Sequence, residues 1–69
     1  MTDTEELKRL INSSGFKLSY IADQMELTTA GLRKKINGEN EFKASEILKM
    51  AEILGMDKKK RDNIFLTIR

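Results

Sequence analysis

Residues Leu18 to Gly38 read LSYIADQMELTTAGLRKKING and carry the most informative pattern of the chain. Its apolar residues recur at helical spacing on either side of a short break, which predicts a helix, a tight turn and a second helix. The apolar inner face consists of Ile21, Ala22, Met25, Leu27, Leu32 and Ile36. The basic residues 33–35 stay outside this face. A helix that turns basic and hydroxylated side chains outward suits the major groove of double-stranded DNA.

The helix that follows the turn, the third of the chain, has clear start and stop signals. Thr28 or Thr29 is expected to cap it, because a threonine oxygen accepts a hydrogen bond from a free N–H of the first turn. Gly38 is expected to end it. Gly31 inside the helix costs about 1 kcal/mol against alanine. Close approach of the preceding helix or of DNA would explain that glycine, and neutral drift would explain it equally.

Helical periodicity continues on both sides of the stretch, and no segment has the alternation of a strand. The first helix is expected to begin at a cap, Thr2 or Thr4, and to end at Gly15. The second covers about 18–25. Ser19 could cap it, although the pattern fits better if the helix has begun by that residue. A polar loop at 38–43, anchored by Phe42, precedes a fourth helix over about 44–54, whose apolar face is Ile47, Leu48, Met50, Ala51 and Leu54. Gly55 is expected to end the fourth helix and Asp57 to cap a fifth.

The composition narrows the classes of function. The chain has 69 residues with no histidine and no cysteine, so the usual general base and the commonest metal ligands are missing. We therefore expect no enzyme activity, no cofactor, no metal site and no small-molecule ligand. No apolar run approaches the roughly 18 residues that span a membrane. The polar, acidic start MTDTEELKR does not fit a secretory signal, so we expect a cytoplasmic protein.

The charge is unevenly distributed along the chain. The net charge is only +2. Residues 1–27 hold three basic and five acidic side chains, residues 28–43 hold four and two, and residues 44–69 hold six and four. This polarity steers a charged partner more effectively than the total charge does.

The pattern from residue 18 to residue 38 resembles the helix-turn-helix family of phage repressors and Cro proteins, including small prophage regulators. Matching positions are Ala22 in the second helix, Leu27 after the turn, Thr28 as cap, Leu32 in the recognition helix and Gly38 at its end. The later segment EFKASEILKMAEILGMDKKKRDNIF also looks like these regulators. The resemblance implies one all-α, five-helix lambda-repressor-like DNA-binding domain over residues 1–69, with the helix-turn-helix at helices 2 and 3.

Two positions depart from the family pattern. Glu26 stands where the turn usually has glycine, so an unchanged turn requires it to adopt a left-handed conformation. Leu18 replaces the glutamine that commonly opens the second helix and touches phosphate. Lys17 or Ser19 would have to supply that contact.

The recognition helix is predicted to read bases through Thr29, Ala30, Arg33 and Lys34. At about 100° per residue, Lys34 lies near the direction of the two residues at 29–30, and Arg33 lies beside it. Arginine and lysine reach guanine O6 and N7, and the methyl groups of threonine and alanine contact the thymine methyl. Lys35 points further round and is expected to be only solvated.

A second set of side chains is predicted to grip the DNA backbone, namely Lys17, Ser19, Thr28, Asn37 and Lys43. Each also has an ordinary structural role, as a helix cap, a helix end or a solvated charge. Tyr20 is expected to cover apolar surface rather than bind phosphate. The block 58–61 is expected to be a solvated charge run, with DNA or an acidic partner as the alternative.

The last helix carries Ile64, Phe65 and Ile68 at helical spacing, as core or as a contact between two copies. The sequence therefore predicts a transcriptional regulator, a repressor or Cro-like protein of phage or prophage type, that binds an operator as a homodimer. The alternative is a protein-interaction module of the same fold, antitoxin-like or an adaptor, in which the basic helix meets an acidic protein surface.

Overall fold

Five α-helices form the secondary structure of residues 2–66, the part of the chain that the computed structural model describes. They are α1 Thr4–Ser14, α2 Leu18–Gln24, α3 Thr29–Ile36, α4 Ala44–Leu54 and α5 Lys58–Phe65. Within these residues there is no strand. The prediction of an all-α chain with five helices is confirmed.

Side-chain caps start α3 and α5 where the sequence predicts them. Thr28 Oγ1 accepts a hydrogen bond from the Gly31 N–H at 3.0 Å. Asp57 Oδ1 accepts one from the Lys60 N–H at 2.8 Å. Because these caps satisfy otherwise free donors, they fix the first residue of each helix.

The cap of α1 differs from the prediction, whereas the start of α2 agrees with it. Asp3, and neither neighbouring threonine, caps α1 by accepting from the Glu6 N–H at 3.2 Å. The Asp3 N–H itself donates to the Ile64 carbonyl at 2.6 Å, and this tertiary bond fixes the residue at the cap position. In α2 the cap position is Lys17, which makes no side-chain bond, and Ser19 lies inside the helix. The threonine caps expected for α1 were wrong, while the better-fitting prediction for α2, a helix that has begun before Ser19, is confirmed.

The turn after α2 has Glu26 in the left-handed region, with φ of 57°. The Leu27 N–H donates to the Ala22 carbonyl at 2.9 Å, and the Glu26 N–H donates to Asp23 at 3.1 Å. This pair of bonds is the Schellman arrangement that ends many helices and usually has glycine at the left-handed position. The left-handed conformation predicted for Glu26 is confirmed.

Each of the five helices contributes to one core. The helix α1 packs against α3, α4 and α5, while α2 packs against α3 and α4 against α5. The Cα radius of gyration is 10.8 Å, close to the roughly 11 Å of a folded chain of this length. The predicted loop anchor Phe42 is buried, with its ring edge-on to Phe65 at 5.2 Å between centroids. The core consists of Leu7, Ile11, Ile21, Ala22, Met25, Leu32, Ile36, Phe42, Met50, Ala51, Ile64 and Phe65.

The α4 face is narrower than predicted. Met50 and Ala51 are buried, but the side of α4 that carries Leu48 points outward, and that leucine is 57% exposed. No helix in residues 2–66 combines the length and the apolar composition needed to cross a lipid bilayer.

Candidate nucleic-acid interface

The helix α3 buries one side and presents a basic side to the solvent. Leu32 and Ile36 are in the core, whereas Ala30, Arg33 and Lys34 are exposed. Thr29 at the start of the helix is half-buried. The four residues predicted to read bases therefore share one helix, and three of them are open to solvent. The helix has no acidic residue, so nothing in α3 itself would repel a polyanion.

The start of α3 is organised around the Thr28 hydroxyl. Its oxygen accepts from the Gly31 N–H, and a Cβ atom added at Gly31 would lie 3.0 Å from that same oxygen. No other atom beyond its immediate surroundings comes within 4 Å of that position. Close approach of α2 therefore does not explain the glycine. Glu6 and Lys60 stand at the same position after the caps of α1 and α5, so the cap does not require a glycine either.

Several cations around α3 are not paired with carboxylates. Two stretches, 7–22 and 27–38, contain six basic residues and no acidic one. Within residues 2–66, two of the six form ion pairs, Arg9 with Glu6 and Lys35 with Glu46. The other four, Lys8, Lys17, Arg33 and Lys34, form no ion pair with any described residue. Their charge is available to an external anion.

Lys35 is not the solvated side chain that the sequence predicts. Its ammonium group donates to the Glu46 carboxylate, and the two side chains are only 13% and 9% exposed. The same carboxylate oxygen accepts the Lys43 N–H at 2.8 Å. Burial opposes ionisation of Glu46, but the hydrogen bonds from Lys35 and the Lys43 backbone leave its pKa below the usual value. Lys35 is held because Glu46, in the first turn of α4, faces α3.

The residues predicted to grip the backbone lie at the ends of three helices. Lys17 and Ser19 stand at the start of α2, Asn37 at the end of α3 and Lys43 before α4, all exposed. Leu18 and Arg33 line one groove, which places the start of α2 beside α3. Because Glu46 also binds the Lys43 N–H, the start of α4 lies beside the last turn of α3.

Tyr20 forms a contact that the sequence does not reveal. Its ring lies 5.1 Å from the ring of Phe16, and both side chains are close to half exposed. The expectation that Tyr20 covers neighbouring apolar surface fits this pair. Sequence reasoning missed Phe16, since a single aromatic residue in a loop gives no periodic signal.

The prediction that α5 offers an apolar contact surface to a second copy needs a correction. Ile64 and Phe65 are 1% and 4% exposed, so the core covers both and they offer no surface to a second copy. Ile68 lies outside the described residues. The exposed apolar side chains in this region are instead Leu48 of α4 and Leu66 after α5, which line one groove.

The basic block 58–61 is partly used inside the molecule. Lys60 pairs with Glu6 at 2.7 Å and Arg61 with Asp62 at 3.2 Å. Lys58 and Lys59 are exposed. The expectation of a solvated charge run is therefore correct for the first half of the block and wrong for the second.

Comparison with known proteins returns no relative. No family model matches the chain, and neither a curated protein nor a solved structure matches it. Within residues 2–66 there is also no group of three or more acidic side chains placed to hold a metal ion. The family resemblance of the sequence therefore stays a prediction.

Proposed function

We propose that this protein is a sequence-specific regulator that binds double-stranded DNA. In this proposal α2 and α3 form a helix-turn-helix unit, and α3 enters the major groove. One observation carries the proposal: the exposed side of α3 holds Arg33 and Lys34, and no described carboxylate pairs with either. Because these cations are unpaired and their helix has no acidic residue to repel an anion, they favour a polyanionic partner.

Base reading falls to Thr29, Ala30, Arg33 and Lys34. The two long cations reach the O6 and N7 acceptors of guanine, and the short side chains approach thymine methyl groups. Lys35 takes no part, since Glu46 holds it. The reading face is thus limited to residues on one side of the helix.

Backbone contacts position this helix without reading sequence. Lys17 and Ser19 at the start of α2, Thr28 and Asn37 at the two ends of α3, and Lys43 before α4 supply them. Each lysine that meets a phosphate releases counterions, so binding weakens steeply as salt rises. The role is that of a repressor or Cro-like protein of phage or prophage type, bound to its operator as a symmetric dimer. The apolar contact between the two copies is made by the groove that contains Leu48 and Leu66, because Ile64 and Phe65 of α5 are buried.

Selection from a random pool of DNA duplexes tests the proposal. We expect a palindromic consensus, since each copy of a symmetric dimer reads one half-site. Lys34→Ala should relax the consensus at one position and cost about 1–3 kcal/mol of binding free energy. Lys59→Ala on α5 removes the same charge outside the reading face and should leave the consensus unchanged.

Either of two results would contradict the proposal. One is a pool that enriches no sequence, which would leave only unspecific binding. The other is a consensus that Lys34→Ala and Lys59→Ala alter equally, which would remove α3 as the reading helix. A consensus without symmetry would contradict only the dimer.

A further inference from the structure

A groove with an apolar floor and a basic rim lies between α1, the start of α2 and α3. Its volume is about 320 Å³. Leu18 and Phe16 supply most of the accessible apolar surface of the lining, while the core residues Ile11 and Ile36 close its base and are only 8% and 5% exposed. Lys8 and Arg33 supply the two charged side chains of the lining, and both are cations. The groove lies outside the contacts that the proposed DNA complex uses, except for Arg33.

Exposed aromatic surface extends the groove. Phe16 is 42% exposed, and Tyr20, whose tilted ring lies 5.1 Å away, is 46% exposed. Exposed large apolar side chains that adjoin one another mark interaction sites more often than single ones do. A ligand seated in the groove would therefore gain apolar contact both in the floor and along this aromatic pair.

The two charged residues that line the groove have the same sign. Every lining residue comes from the two stretches 7–22 and 27–38, which contain no acidic residue. Neither Lys8 nor Arg33 pairs with a described carboxylate. A complementary ligand must therefore be both apolar and anionic.

We propose that this groove docks an acidic, amphipathic segment of a partner protein. An apolar side chain of the segment fills the floor, and its carboxylates meet Lys8 and Arg33. Amphipathic helices bind in grooves through anchors spaced along one face, which suits a groove prolonged by an aromatic pair. DNA alone does not satisfy the groove, because a phosphate backbone offers no apolar group to its floor.

Docking would regulate the proposed activity. Arg33 belongs both to the groove and to the reading face of α3, so a bound acidic segment withdraws it from DNA. This consequence rests on the proposed function, whereas docking itself does not. The two parts can therefore fail separately.

A peptide titration followed by NMR tests the docking. The probe is a synthetic helical peptide of about three turns with leucines on one face and glutamates on the other. We expect shifts at residues 8–18 and 33–36, with a dissociation constant of about 100 µM or tighter. Lys8→Glu should weaken binding by about tenfold or more, and Phe16→Ser by a similar factor. Lys59→Glu, the same charge reversal on α5, should change it by less than about twofold.

Three results would overturn the docking proposal. The first is the absence of shifts at about 1 mM peptide. The second is equal loss of affinity in Lys8→Glu and Lys59→Glu, which would indicate unspecific charge attraction. The third is equal affinity for a peptide without leucines, or binding of octanoate with no binding of the peptide. The octanoate result would identify the groove as a site for a small carboxylate.

Competition with DNA tests the regulatory consequence separately. The peptide should displace DNA from the wild-type protein but not from Lys8→Glu, because Lys8 belongs to the groove alone. If the peptide and DNA bind together, the competition is wrong while the docking stands. If the protein binds no DNA yet still binds the peptide at the groove, only the proposed DNA-binding function fails.

Discussion

Glu26 occupies a backbone position that usually belongs to glycine. The same pair of hydrogen bonds that ends α2 also ends α4, where Gly55 takes the left-handed position with φ of 69°. A residue with a Cβ atom pays roughly 1–2 kcal/mol for that conformation. The turn between α2 and α3 therefore holds its geometry at a local cost, which the packing of Leu27 and Leu32 on the core offsets.

Glu26→Gly should stabilise the protein by about 0.5–1 kcal/mol, because relief of the left-handed strain exceeds the added entropy of the unfolded chain. Urea denaturation measures the difference. Glu26→Gln removes the charge but keeps the strain, and should stay within about 0.5 kcal/mol of the wild type. A glycine variant no more stable than the glutamine variant would show that the turn is not strained.

The sequence predicts the role of a single residue well where that role depends on near neighbours in the chain. The Thr28 and Asp57 caps depend on neighbours within a few residues, whereas the left-handed Glu26 was expected only from the family resemblance. Lys35 could not be foreseen, because its partner Glu46 is eleven positions away and on another helix. The position of a basic side chain on its own helix predicts which side it points to. It does not predict whether a carboxylate from a later helix lies beside it.

At the scale of elements, one buried ion pair holds α3 against the start of α4. Glu46 joins the Lys35 ammonium group to the Lys43 backbone N–H, so it caps one helix and anchors the other. The recognition surface proposed for α3 is thus fixed from behind by a contact that no base or phosphate would touch.

Removing this anchor should destabilise the fold. Lys35→Met leaves the Glu46 carboxylate with only its backbone partner, and we expect a loss of about 1–3 kcal/mol in the free energy of unfolding. Lys34→Met, the same change on the exposed side of α3, should cost less than about 0.5 kcal/mol. Chemical denaturation of both variants measures the two losses. Equal losses would mean that the ion pair contributes nothing to stability.

At the scale of the whole molecule, the two ends of the described chain are joined by polar contacts. The Asp3 N–H donates to the Ile64 carbonyl, and Glu6 of α1 binds Lys60 of α5 at 2.7 Å and Arg9 of its own helix at 2.6 Å. Hydrogen bonds from Arg9 and then Lys60 lower the pKa of Glu6 from 4.5 to about 2.

This lowered pKa predicts how stability depends on pH. The stabilisation from Glu6 is fully present above pH 4.5, the ordinary pKa of its carboxyl group, and is lost as pH falls toward 2. Denaturation midpoints from neutral to acidic pH should therefore fall less steeply in Glu6→Gln than in the wild type. Glu5→Gln, an exposed neighbour that forms no ion pair with a described residue, should follow the wild type. A Glu6→Gln curve parallel to the wild type would contradict the link between α1 and α5.

The number of helices, most of their bounds and the buried residues of α2 and α3 follow from the amino-acid sequence alone. They depend on periodicity and on caps, which involve residues three or four positions apart. The packing of the helices was needed to show that Asp3 caps α1, that Ile64 and Phe65 are core and that Glu46 holds Lys35. It was also needed to show that Phe16, Lys8 and Arg33 surround one groove. Each of these depends on which helices lie side by side, and contacts between residues distant in sequence leave no local pattern from which to predict them.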